Sequence, residues 1–159
     1  MPKSDIETVP PALAELLTGS CYCLAVRRAS RRMIRLYDAA LAEHGLTISQ
    51  LALLAWVLYL RKPTVQKVAG LMEMDQSALS RGMVPLEREG LVTAAPDPDD
   101  KRKKVLSLTG EGQRRLVAGA EAWQRAQRQV EEEEARDGMD MASLMARVNA
   151  LVATEKKAG

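Results

Sequence analysis

A chain of 159 residues with 47% apolar content holds one well-packed domain with room for extended arms, and two globular domains are not expected. Its 23 Lys and Arg against 21 Asp and Glu leave a net charge of +2, so a polyanionic partner would have to be met by local clusters of charge. Met1-Pro2-Lys3-Ser4-Asp5 has no apolar signal core, the longest apolar run (Leu51 to Leu60) is too short for a bilayer, and Cys21 and Cys23 are too few for a disulfide framework. A soluble, cytoplasmic protein with no membrane partner is therefore expected.

An N-terminal arm broken by prolines ends near Pro11, and residues 12–44 read as one long helix in which Cys23, Val26, Ser30, Met33, Tyr37 and Ala40 recur at steps of three and four. Gly45 ends it. Thr47 and Gln50 have capping-box spacing and open a second helix, apolar nearly all round, that is expected at the buried centre. Pro63-Thr64 starts a short third helix with Val65, Val68, Ala69 and Met72 as its apolar stripe. Asp75 is the N-cap candidate of a fourth helix running to about Glu89, with Leu79, Met83 and Leu86 inward and Gly90 as its stop. Leu91 to Ala95 and Lys104 to Leu108 are strand candidates flanking a turn-forming Pro96-Asp97-Pro98-Asp99-Asp100, which predicts a β-hairpin. Thr109 caps a fifth helix toward Arg136, Gly138 breaks it, and Met141, Leu144, Met145, Val148, Leu151 and Val152 form a last amphipathic stripe. The fold class is mainly α with a small β-hairpin. The apolar faces of the terminal helices exceed what one small core can cover, so a two-fold dimer through them is expected, the alternative being a monomer in which they pack on each other.

In the fourth helix, Gln76, Ser77, Ser80, Arg81 and Val84 fall opposite the inward stripe. Arg81 can donate in bidentate fashion to guanine, Gln76 can pair with adenine or a phosphate, and the serines suit either role. Alone, such residues describe an ordinary solvated face. Directly behind them the hairpin carries Lys101, Arg102, Lys103 and Lys104 in succession, a basic tip suited to phosphates and to the focused negative potential of a minor groove. Gly82 and Pro85 lie inside the same helix, so packing must hold it and a bend is expected between them.

From Thr64 to Thr109 the chain resembles the MarR family of bacterial winged helix-turn-helix regulators. The matching residues are Val68-Ala69, Asp75 through Arg81, Leu86-Glu87-Arg88-Glu89-Gly90-Leu91-Val92, and Asp100-Lys101-Arg102 leading to Val105 through Thr109. The resemblance implies a single domain with residues 12–44 and 110–157 as dimerisation helices and 47–109 as the DNA-binding segment. It also implies a homodimer on a pseudo-palindromic operator of double-stranded DNA, with recognition helices in successive major grooves and Arg102 in the minor groove. Gln76, Ser77, Ser80, Arg81, Lys101, Arg102 and Lys103 become the DNA-binding residues. Many relatives repress transcription and release DNA on meeting a small aromatic or phenolic effector, or an oxidant. The alternative function is a helical protein-interaction dimer without specific DNA binding.

Cys21 and Cys23, with Arg27 and Arg28 close by to favour a thiolate, are candidates for oxidant sensing, or else small apolar filler. Two residues apart on a helix, their side chains diverge, which makes a disulfide between them a poor fit. Arg27, Arg28, Arg31, Arg32 and Arg35 crowd one helix, and Glu131 to Glu134 form a complementary acidic run. Structural ion pairing and an anion-binding effector site are the two readings of that cluster. Tyr22, Tyr37, Trp56 and Tyr59 are expected in the core or lining an effector site, so Cys21, Cys23, Arg27, Trp56 and Tyr59 form the ligand or redox set. His44, the single histidine, reads as a surface residue beside a helix end, without Cys or carboxylates at metal-ligand spacing. Phosphate-binding glycine loops and nucleophile motifs are absent, so neither an enzyme, a metal nor a cofactor is expected.

Overall fold

The computed structural model describes residues 10–153, with the side chains of 152 and 153 excepted. The expected N-terminal arm through residue 9, residues 154–157 of the expected C-terminal dimerisation segment and the side chain of Val152 lie outside it. In chain order come α1 (Pro11–Ser20), α2 (Tyr22–Leu41), a 3-10 turn (Ala42–His44), α3 (Ile48–Leu60), α4 (Val65–Leu71), α5 (Gln76–Arg88), β1 (Val92–Pro96), β2 (Lys104–Leu108), α6 (Gly110–Asp137) and α7 (Met141–Ala153). The chain divides into two compact units within α2, one ending at Leu36 and the other beginning at Tyr37. Among the described residues no single helix is long and apolar enough to cross a membrane.

In the first unit the single helix expected from residue 12 is broken. Cys21 is extended (φ −76°, ψ 108°), and its carbonyl accepts from the Ala25 amide at 3.0 Å to start α2. Gly19 and Ser20 just before it are weak helix formers, Gly by about 1 kcal/mol relative to Ala, and the apolar seam that suggested one helix starts only at Cys23, beyond the break. Nothing in α1 is buried, and Tyr22 is 89% exposed, against the expectation of a core aromatic. Cys21 is not helical, so Cys21 and Cys23 do not share a helix as the sequence suggested.

The second unit carries the core. Thr47 accepts from the Gln50 amide at 3.2 Å while the Gln50 side chain accepts from the Thr47 amide at 2.9 Å, completing the capping box of α3. Leu51, Leu53, Leu54 and Val57 are buried, yet Leu58 and Tyr59 are exposed. A helix apolar all round has no phase in its pattern, so sequence alone placed the whole of it inside. In the absence of Phe, leucines fill the centre: Leu41, Leu54, Leu79, Leu86, Leu91 and Leu106 are fully buried, each worth roughly 1.5–3 kcal/mol of apolar transfer. His44 lies half-buried at the helix end, its Nε2 3.3 Å from Glu43 Oε1.

α6 approaches this core through Gly112, where a Cβ would stand 2.1 Å from the carbonyl oxygen of Leu91. Thr109 fixes the approach: its hydroxyl donates to the Gly90 carbonyl at 2.7 Å and accepts from the Gly112 amide at 2.9 Å. Farther along, Arg115 donates to the His44 carbonyl at 3.0 Å and Arg125 pairs with Glu43 at 3.2 Å.

Candidate DNA interface

The third helix expected from sequence is α4. Thr64 caps it by accepting from the Lys67 amide at 3.2 Å, and Val65, Val68 and Ala69 are buried. The turn that follows places Glu73 at φ 50°, a left-handed conformation costing a non-glycine residue about 1–2 kcal/mol. α5 then starts after Asp75, whose side chain makes no capping bond, and it remains helical through Pro85 to Arg88. Burial of Leu79, Met83 and Leu86 holds it there, although Pro85 offers no amide to the Arg81 carbonyl. On its other side Gln76, Ser77, Ser80, Arg81 and Val84 are all exposed.

The hairpin pairs Val92 with Leu108 and Pro96 with Lys104 at its ends, one residue later in β1 than the sequence suggested. A third segment, which the sequence did not reveal, completes its frame. Thr64 bridges to Val105, and the Leu106 amide donates to the Pro63 carbonyl at 2.8 Å. The entrance to α4 is thereby fastened directly to the wing, which fixes the height of the wing relative to both helices of the reading segment.

At the wing tip Asp100 organises its basic neighbours. Its Oδ1 accepts from the Arg102 backbone amide at 3.2 Å and from Arg102 Nε at 3.0 Å, its Oδ2 accepts from Arg102 Nη2 at 3.3 Å, and Lys103 Nζ stands 3.4 Å away. The Arg102 side-chain and backbone hydrogen bonds, with help from Lys103, hold the Asp100 carboxyl below the usual carboxylate range. Asp97 accepts from the Asp99 amide at 2.9 Å to shape the turn, as its residue types suggested. The Arg102 side chain remains 91% exposed, so this exposed pair aims a guanidinium rather than stabilising the fold.

These pieces meet in one polar cleft of about 240 Å³. Gln76 and Ser80 line it from the first turns of α5, Arg102, Lys103 and Lys104 from the wing, and Thr64, Val65 and Gln66 from the start of α4. Four of the seven residues singled out from sequence are thus brought together. Ser77, Arg81 and Lys101 are exposed beside that cleft's elements without lining it. Thr64 and Gln66 were missed because only the strand-like tie to β2 brings them to the wing, whereas Lys104 was visible in the basic run.

The ligand or redox candidates are divided between the two units, Cys21, Cys23 and Arg27 in the first and Trp56 and Tyr59 in the second. Trp56 and Tyr59 make an edge-to-face pair with centroids 5.9 Å apart, and Trp56 also lines an apolar groove of about 410 Å³ between α3 and α6, with Ile48, Leu51, Ala52, Ala55, Leu116, Ala120 and Trp123. Tyr59 is 77% exposed and outside that lining, contrary to a core role. Cys21 is half-buried at the break between α1 and α2, and Cys23 and Arg27 are exposed. Tyr37 is the one tyrosine buried as expected, with its hydroxyl donating to Gln127 Oε1. Among the described residues no cluster of three or more His, Cys, Asp or Glu side chains is placed to hold a metal ion.

A short helix, a turn, a second helix with a polar outer face and a basic-tipped hairpin braced to both define a winged helix-turn-helix protein. Residues 46–104 match the model of the MarR family. The organic hydroperoxide resistance transcriptional regulator of Bacillus subtilis (strain 168) is 27% identical over 90 residues, 57% of this chain and 61% of that protein, so the match spans somewhat under two thirds of the length of that relative. The solved structure of the Mycobacterium tuberculosis transcriptional regulator MosR in complex with DNA is similar with a TM-score of 0.75 at 28% identity, covering 88% of this chain and 100% of that one. The transcriptional repressor CouR, solved on a 23-mer DNA duplex, shares the fold at a TM-score of 0.75 and 19% identity, over 87% of this chain and 96% of its own. Over residues 46–104 the chain is thus similar to the MarR family of winged helix-turn-helix proteins, and the proteins it resembles over a longer span are transcriptional regulators.

Proposed function

We propose that two copies of this chain bind a pseudo-palindromic operator, place their α5 helices in successive major grooves and their Arg102 side chains in the minor groove, and repress transcription in the cytoplasm until an effector releases them. The observation that carries this reading is the shared cleft between the first turns of α5 and the braced wing. Base-reading side chains and a phosphate-seeking tip open on the same space, as one duplex requires. Residues 47–109 would supply DNA contact, and 12–44 with 110–157 the dimer. In support of the latter, none of the described residues of α1 or α7 is buried, while Leu13, Leu16, Leu17, Leu144 and Met145 are exposed.

Anisotropy titration of DNA from upstream of its own gene against a scrambled duplex tests the proposal. Arg102→Ala is expected to weaken binding to both duplexes and reduce the salt slope by about one. Arg81→Ala is expected to narrow the difference between the duplexes by roughly 1–3 kcal/mol. Equal, weak affinity of the parent for both would favour a protein-interaction dimer instead.

The α3–α6 groove favours a small aromatic or phenolic effector, because its lining is almost wholly apolar and includes both tryptophans of the chain, Trp56 and Trp123. Their emission should change in parallel with effector-driven release of DNA; release with unchanged emission would remove the groove from the mechanism. An oxidant is the competing input, supported by the placement of Cys21 at a helix break and by the hydroperoxide-resistance role in the name of the Bacillus relative. A Cys21→Ser, Cys23→Ser variant that still releases DNA under peroxide would eliminate it.

A further inference from the structure

By the 3.6-residue period, Ser77, Ser80, Arg81 and Val84 fall within about 100° of the circumference of α5, opposite the buried Leu79, Met83 and Leu86. Their spacing of i, i+3, i+4 and i+7 is that of the base-reading side chains on a helix laid in a major groove. Three of the four can form hydrogen bonds with base edges. Val84 cannot, and among the described residues it is the one large apolar side chain of α5 that is exposed, at 57%. It stands about 10 Å along the helix from Ser77 and within about 20° of it around the axis, so it occupies the middle of the outer face rather than the border with the core. A lone exposed valine is ordinary on a protein surface; its place among the candidate readers is what singles this one out.

We propose that Val84 packs on the 5-methyl group of a thymine in each half-site and so sets the base preference at that pair. This inference rests on the DNA-binding reading proposed above and deepens it by naming what the middle of α5 reads. The thymine methyl is the one apolar group on the base edges of the major groove, and an apolar side chain is its natural counterpart. Cytosine in the same place would put an amino donor against the valine methyls, stripped of water and without an acceptor. The side chain is also ready for the contact. A β-branched residue in a helix keeps essentially one χ1 rotamer, so both methyls are held in place before DNA arrives and little rotamer entropy is lost on docking. Met83 and Leu86, on either side in sequence, are buried, which fixes the turn of α5 that carries Val84.

Fluorescence anisotropy with synthetic duplexes tests the contact one methyl at a time. The probes carry the sequence that the full-length protein enriches from a random library. Deoxyuridine replaces each half-site thymine in turn, in both halves together, which removes a methyl and nothing else. At one thymine position the parent is expected to lose about fourfold in affinity for each half-site, or roughly fifteenfold for two copies on the repeat. Val84→Ala alters an exposed position and introduces the better helix former, so it should keep the parent far-ultraviolet circular dichroism. It should bind the thymine duplex as weakly as the parent binds the uracil duplex and should no longer distinguish the two. Discrimination by Val84→Ala to the same extent as the parent would assign the methyl to another side chain or to DNA shape and overturn the inference. A parent indifferent to uracil at every position, or an enriched half-site without thymine, would also overturn it; in these cases selective DNA binding, and the function proposed from it, would stand. A parent that enriches no sequence would remove that function and the inference together.

Discussion

In the reading segment, Leu79, Leu86, Leu91 and Leu106 are at most 1% exposed, whereas in α1 Leu13, Leu16 and Leu17 are 43–59% exposed and nothing is buried. The residue types are the same, and their solvation is opposite. The helices and hairpin between Thr47 and Thr109 close on themselves through complementary apolar stripes and specific caps. No residue of α1 and none of the described residues of α7 is buried, and both carry exposed apolar side chains. Such a division suits a regulator, because a rigid reader can be held at a spacing set by a separate assembly surface. Substitutions in the two regions should therefore fail in different ways.

The largest effect is expected at Gly112. An Ala there would drive its methyl into the Leu91 carbonyl, a backbone atom that cannot swing aside, and Gly112→Ala should lower the urea-unfolding free energy by on the order of 3 kcal/mol. Thr109→Ala removes an N-cap and the bond to Gly90 and should cost about 1–2 kcal/mol in the same assay. Glu73→Gly should instead raise stability, by about 1 kcal/mol, by relieving the left-handed strain in the turn between α4 and α5. A double Leu13→Asp, Leu17→Asp change on α1 tests the other side of the contrast. Protomer folding should shift by no more than about 0.5 kcal/mol while sedimentation shows loss of the dimer. Intact dimer in that variant would show that α1 is not part of the assembly surface.

The smallest effect concerns pH at the wing. Asp100 has its carboxyl lowered in the folded chain, so its bracing of Arg102 is complete above the ordinary carboxylate range and is lost only as pH falls through the lowered value. The pH dependence of DNA affinity from neutral down to the ordinary carboxylate range should thus contain no step from titration of Asp100. Asp100→Asn should weaken binding at neutral pH by loosening the aim of Arg102, without a measurable change in protomer stability.

What could be read from sequence was chiefly what is local. The caps at Thr47, Thr64 and Thr109, the inward rows of α4 and α5 and the basic tip are set by residues within a few positions of one another. The tie from Pro63 and Thr64 to β2 spans some forty residues and has no sequence signature, so Gln66 was not recognised as facing the wing. The close approach at Gly112 was equally invisible, since an isolated glycine in a helix first suggests weakness rather than contact. The break at Cys21 went unseen because the apolar seam starts only at Cys23 and carries no information on the residues before it. Tyr22 and Tyr59 were expected inside or at an effector site because aromatics usually are, and both face solvent in the protomer.

Selection of binding sites from a random duplex library tests the central claim most directly, since any operator the protein reads will be enriched whatever its sequence. The account predicts enrichment of an inverted repeat whose half-site centres lie about 10 base pairs apart, with Arg81→Ala erasing preference at one position in each half. Absence of enrichment, or a single unrepeated motif bound by one chain, would contradict it.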